Sequence, residues 1–121
     1  MADKLPIKIE KPWGYELLFA HTDKYAGKVM FVKKGHRLSL QYHKKKDETI
    51  YVQQGKALME IETEGRMVQV ELTNGSCFRV SPLTKHRLKA TEDTLIFEVS
   101  THELDDIERL ADDYGRTSED Q

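Results

Sequence analysis

One cysteine, three prolines and no long apolar run are what this 121-residue sequence offers in place of the usual structural staples. A lone Cys77 rules out an intrachain disulfide and suits a reducing compartment. It sits in the β-like run Ser76-Cys77-Phe78-Arg79-Val80, where a small buried hydrophobe is expected rather than a nucleophile. No apolar segment approaches the ~20 residues that cross a bilayer, and Met1 to Pro12 lacks the apolar core of a signal peptide. The expectation is a soluble, cytoplasmic chain without a membrane partner. Net charge is only −2, so no nucleic-acid partner is indicated. The charge is unevenly spread, however. Eight Lys or Arg fall between Lys24 and Lys46, while from Glu92 onward eleven Asp or Glu stand against Arg109 and Arg116. Two solvated faces of opposite sign would account for this, as would a basic rim for an anionic substrate.

Short β-compatible segments punctuated by Gly or Asn make up most of the chain. Gly27 to Val32, Ile50 to Val52, Phe78 to Val80, Thr84 to Lys89 and Leu95 to Val99 read as strands. Ala57 to Glu62 and Met67 to Leu72 alternate and are joined by Glu62-Thr63-Glu64-Gly65-Arg66, a hairpin by composition, and Asn74-Gly75 is a strong turn dipeptide. This spacing predicts an all-β sandwich or barrel in a single domain, residues 1–115, with an N-terminal arm over residues 1–12. Lys11-Pro12-Trp13-Gly14-Tyr15-Glu16 reads either as a packed edge with Trp13 plugging the core or as a substrate contact. The capping-box spacing Ser100 to Glu103 and the stripe Leu104, Ile107, Leu110 and Ala111 predict a C-terminal helix over residues 101–114. Residues 116–121 carry no apolar side chain and are expected to fray.

The chemistry concentrates in GHRLSLQYHKKKDETIYVQQG, residues 35–55. Gln41 and His43 lie two apart, so a strand sends both side chains to one face. An antiparallel return across Lys44 to Asp47 would place Glu48 opposite His43, and His86 lies on a later β-like run. Along residues 37–43, Ser39, Gln41 and His43 point one way and Leu38, Leu40 and Tyr42 the other. A polar row that faces inward is explained by a barrel lumen that holds ligands, with the apolar row covered by the arm, the C-terminal helix or a second subunit. Two imidazoles, a carboxylate and an amide oxygen suit a divalent ion: Zn²⁺, Mn²⁺, Fe²⁺, Co²⁺ or Ni²⁺. His21, His36 and His102 stand outside this pattern and read as surface or turn histidines.

Gly35, His43, Glu48, Gly55, Gly75 and His86 fall in the register of the two cupin motifs, with Gln41 in place of the first His. Leu83 and Ala90 stand where that pattern has Gly and Asn. Gly-x-x-Leu-Ser-Leu-Gln-x-His, together with Lys11 to Glu16, Leu104 to Arg109 and Asp113 to Arg116, resembles the C-terminal cupin domain of type II mannose-6-phosphate isomerases over nearly the whole chain. Where that family has Arg-Ala-Glu-His around its carboxylate, this chain has Lys46-Asp47-Glu48-Thr49. The resemblance implies a double-stranded β-helix, or jelly roll, with Zn²⁺ held by Gln41, His43, Glu48 and His86 and a sugar phosphate as substrate. It also implies interconversion of mannose 6-phosphate and fructose 6-phosphate, and a homodimer that uses the N-terminal arm. Lys46 and Arg87, next to ligands, are candidates for contacts to the substrate or its phosphate, or are surface charges beside the barrel mouth. One alternative is a non-catalytic metal-containing cupin that binds a sugar or small acid. Another is a metal-dependent dioxygenase, for which the commoner cupin set has three His and one Glu.

Overall fold

The computed structural model describes residues 4–116, which form eleven strands and no helix. In chain order these are β1 (Ile7–Lys11), β2 (Gly14–His21), β3 (Ala26–Val32), β4 (Leu40–Tyr42), β5 (Glu48–Gln54) and β6 (Lys56–Thr63). They are followed by β7 (Arg66–Thr73), β8 (Cys77–Val80), β9 (His86–Ala90), β10 (Thr94–Ser100) and β11 (Glu108–Ala111). Every strand pairing is antiparallel within two sheets, one ordered β1-β2-β3-β10-β5-β8 and the other β11-β4-β9-β6-β7. Such crossing between sheets is the jelly-roll solution to closing a small all-β domain.

Between the sheets lies a core of Trp13, Met30, Val32, Ile50, Val52, Met59, Leu72, Val80, Leu88 and Ile96. Trp13 is 2% exposed and belongs to this core, which decides between the two readings of the Pro12-Trp13-Gly14 segment in favour of the plug. Gly14 follows it with φ 154°, and a Cβ there would lie 1.8 Å from the Phe31 carbonyl oxygen, so glycine lets β2 approach β3. The hairpin expected after Glu62 is present. Glu64 and Gly65, with φ 53° and 78°, make a two-residue turn whose doubly positive φ matches the strand twist.

Several expectations are corrected. The C-terminal helix over residues 101–114 does not form. Instead, turns lead into β11, whose backbone pairs with β4 and completes that sheet's edge, a demand that overrides helical periodicity. The link Lys44 to Asp47 is not a hairpin, because β4 and β5 belong to different sheets and the link crosses from one to the other. The arm is tied in by pairing of β1 with β2. Leu38 turns inward toward the core, and Cys77 is exposed. Arg116 is held by the Asp112 carboxylate, which accepts bonds from its backbone N–H and guanidinium; the rest of the expected frayed tail, residues 117–121, lies outside the described residues.

Replacing Trp13 by Ala should destabilise the fold by about 3–5 kcal/mol, the usual cost of removing a large buried aromatic. Urea denaturation measures this, and a loss under 1 kcal/mol would show that the indole is not part of the core.

Candidate metal centre

Three side chains that can ligate a metal converge where the two sheets face each other. Gln41 and His86 are cross-strand partners between β4 and β9, and His43 follows β4 by one residue, so the five-stranded sheet supplies three of the four expected donors. Glu48, the first residue of β5, comes from the opposite sheet. The donor atoms of His43, Glu48 and His86 all lie within 4.8 Å of one another, and the three residues are buried. His43 Nε2 is 2.8 Å and His86 Nε2 3.5 Å from Glu48 Oε1. Gln41 is buried beside them on the wall of the same cavity, which has a volume of about 270 Å³.

Backbone carbonyls set the orientation of both imidazoles. His43 Nδ1–H donates to the Asp106 carbonyl at 2.6 Å, and His86 Nδ1–H donates to the Thr84 carbonyl at 2.9 Å. Each ring thereby turns its Nε2 toward Glu48, which is how outer partners usually prepare a metal-ligating histidine. Two ring nitrogens and a carboxylate oxygen that face one another are a site for a cation, and the donor chemistry fits a divalent ion with open positions. Asp106 does more than orient His43. Its carboxylate accepts the backbone N–H groups of Lys44, Lys45 and Lys46 at 3.0, 2.6 and 2.9 Å, so it fixes the crossing that carries the chain from His43 to Glu48. Leu83 lies on the other side of this crossing. It has φ 67° where the family pattern has Gly, is 67% exposed, and donates its N–H to the His43 carbonyl at 2.6 Å.

Glu98, which faces inward from β10, is the residue that the sequence reading missed. Burial and the adjacent negative Glu48 push its carboxyl up to about 8, so it holds a proton near neutral pH and shares it in a hydrogen bond with Glu48. Burial alone would raise Glu48 too. Hydrogen bonds with Glu98, His43 and His86, together with the Lys46 charge, outweigh that and hold it well below the ordinary carboxylate range. Lys46 is buried, with Nζ 3.2 Å from Glu98 and 3.9 Å from Glu48. Burial would lower its pKa, but the two carboxyl groups raise it instead. Lys46 therefore balances charge inside the cavity. Arg87, next to His86 on β9, alternates to the opposite face: its guanidinium donates to the Leu38 and Ala111 carbonyls and lies 3.5 Å from Asp113, outside the cavity. Of the expected site residues, the structure brings Gln41, His43, Glu48, His86 and Lys46 together and leaves Arg87 pinning the C-terminal segment. His21 and His102 are exposed and His36 bonds Tyr114, all apart from the centre.

A family model described as mannose-6-phosphate isomerase C-terminal matches residues 2–112. The chain belongs to this family. Among solved structures it is similar to KdgF from a Halomonas species, at 23% identity and TM-score 0.66, with 84% of this chain and 94% of that chain covered. Oxalate decarboxylase from Bacillus subtilis at pH 4.6 gives 21% identity and TM-score 0.74, covering 88% of this chain and 30% of that one. The capsular polysaccharide assembling protein CapF from Staphylococcus aureus gives 15% identity and TM-score 0.68, covering 82% and 29%. These neighbours are cupins, and at such identities the likeness is one of fold. The chain spans nearly all of KdgF but under a third of the other two. No curated protein sequence matches.

Two predictions follow from the geometry. Protein loaded with a divalent ion should hold about one equivalent per chain, and His43→Ala or Glu48→Ala should abolish this. Asp106→Ala keeps the carbonyl that orients His43 but removes the carboxylate that fixes the crossing to Glu48, and should weaken affinity by roughly 10–100-fold, the usual range for groups that support metal ligands. Elemental analysis and competition with a chelating dye measure both, and unchanged affinity in Asp106→Ala would show that the crossing orders itself. The second concerns metal-free protein. Because the Glu98 carboxyl is raised from 4.5 to about 8 on folding, the folded state binds an extra proton between those values. Stability should then fall as pH rises through that window. Urea midpoints at pH 5.5 and 8.5 should differ in wild type and much less in Glu98→Gln; equal differences would contradict the assignment.

Proposed function

We propose that the chain is a divalent-metal-dependent aldose–ketose isomerase acting on a small sugar phosphate, in the manner of mannose 6-phosphate to fructose 6-phosphate. One observation carries this reading: Gln41, His43, Glu48 and His86 sit on the wall of a cavity that also holds Lys11, Lys28, Lys46 and Arg109. Membership of the isomerase-related family supports it. The cavity, about 270 Å³, is near the lower end of small-molecule sites, roughly 300–1,000 Å³. A bound divalent ion, with Zn²⁺ the one the family resemblance suggests, would supply Lewis acidity toward adjacent sugar oxygens. The chain's own residues would do the rest. Glu98 and Lys46 lie beside the donors and, both protonated, would donate hydrogen bonds to the oxygens on which charge develops. Lys11, Lys28 and Arg109, from β1, β3 and β11, would meet the phosphate. Leu104 and Ile107, from the segment before β11, add apolar wall that keeps water from the reacting carbons.

A second reading, a non-catalytic module that binds a sugar or small acid, is favoured by the engagement of Lys46 with Glu98 and Glu48, which commits that ammonium to charge balance inside the cavity rather than to a substrate phosphate.

The deciding assay couples fructose 6-phosphate formation from mannose 6-phosphate to NADPH production, using metal-replete protein. Turnover that depends on metal and falls at least 100-fold in Glu48→Ala is the expected result. Absence of turnover on every hexose and pentose phosphate, with ligand-induced thermal shifts intact, would remove the isomerase and leave the binding module.

A further inference from the structure

We propose that, on the reading of the cavity as a sugar-phosphate site, a basic annex between β1 and β11 seats a phosphate carried at the far end of the substrate, with Lys11 and Arg109 as the residues that select it. The annex adjoins the main cavity through Lys11, Glu16, Gln41 and Arg109, which line both. Its own volume is about 50 Å³. That is several times the ~10–15 Å³ that admits one water, so the annex takes a single polyatomic anion and leaves the sugar in the larger space.

Arg109, Gln41 and His86 are successive cross-strand partners over β11, β4 and β9, so their side chains share the inward face. Arg109 Nε is buried there. Two strand spacings, about 10 Å, separate the backbone of Arg109 from that of His86. An anion held at Arg109 therefore belongs to the end of the ligand remote from the oxygens at the metal donors. Lys11 reaches the annex from the last position of β1, and Arg116 adds a third positive charge while the Asp112 carboxylate holds its guanidinium. Among the described residues Glu16 is the only carboxylate that lines the annex, and Lys28 bonds it at 3.3 Å. Burial, and with it the Lys28, Arg116 and Arg109 charges, holds Lys11 below the usual amine value although Glu16 opposes them; burial and Arg116 lower Arg109 in the same way. A dianion relieves this repulsion. The apolar walls Trp13, Leu38 and Ile107 strengthen its attraction to both cations by excluding water. A planar guanidinium also offers a phosphate two parallel N–H bonds, which a lysine in its place does not.

Calorimetric titration of the metal-free full chain with inorganic phosphate at low ionic strength tests the seat without requiring turnover. One phosphate should bind per chain. Arg109→Gln and Lys11→Gln, on different strands, should each weaken binding by roughly 10–100-fold, the range for losing a charge-assisted bond. Lys33→Gln, at an exposed lysine, should leave it unchanged. Glu16→Gln should tighten it several-fold, a gain that misfolding cannot imitate. Acetate at equal concentration should not displace the phosphate. Absence of binding, or equal affinity in wild type, Arg109→Gln and Lys11→Gln, would overturn the seat and leave an adventitious surface ion only; displacement by equimolar acetate would overturn its assignment to a phosphate. A protein inactive on every sugar phosphate that still binds phosphate through Arg109 and Lys11 would lose the isomerase reading and keep the seat.

Discussion

The constraint on which this molecule turns is the removal of the Glu48 carboxylate from water. A charge placed between two sheets incurs a large desolvation cost unless it is met by partners. Here the partners come from both sheets: two imidazoles from one, and the protonated Glu98 from the other with Lys46 on the crossing between them. None of these groups would be stably buried alone. Glu98 keeps its proton because Glu48 has lost its own, and Lys46 keeps its charge because both carboxyl groups face it. The cluster is thus a joint arrangement that places a single charged carboxylate against two imidazole nitrogens, a donor set that suits a divalent ion.

Holding that arrangement falls to the C-terminal segment, which supplies none of the metal donors. Asp106 takes up the backbone of the crossing and the Nδ1–H of His43, while Asp113 binds Arg37 and lies against Arg87. The C-terminal residues therefore act as a strap across the five-stranded sheet, and β11 closes its edge. Two acidic residues from the carboxylate-rich end of the sequence are used in this way, so its negative charge is partly structural. The inward placement of charge also has an outward consequence, since residues excluded from a polar interior cover the outside of the larger sheet.

How much of this was legible in the sequence depended on whether a feature had a local period. Gln41 and His43 two apart, with Glu48 and His86 at motif spacing, were readable because strand alternation fixes which side chains share a face. The same alternation could not tell a hairpin from a crossing between sheets: in both, Glu48 reaches His43, but only the second puts the site between two layers. The terminal stripe Leu104, Ile107, Leu110 satisfied a helical period, yet the unpaired edge of β4 claimed the backbone of Glu108–Ala111. Glu98 left a signal that was passed over, an acid on the inward phase of Ile96-Phe97-Glu98-Val99-Ser100 between buried neighbours. Asp106 left none, because accepting three backbone N–H groups has no signature in spacing. Arg87 was misplaced by nearness in sequence, since the residue after a ligand on a strand faces the other way.

The central claim is that the paired sheets build a cation site from imidazole nitrogen and oxygen donors. X-ray absorption spectroscopy of protein loaded with one equivalent of Zn²⁺ tests it most directly. The account predicts a first shell of nitrogen and oxygen at about 2.0–2.2 Å with the outer-shell scattering of two imidazoles, reduced to one in His86→Ala. A shell without imidazole scattering, or one unchanged by that substitution, would contradict it.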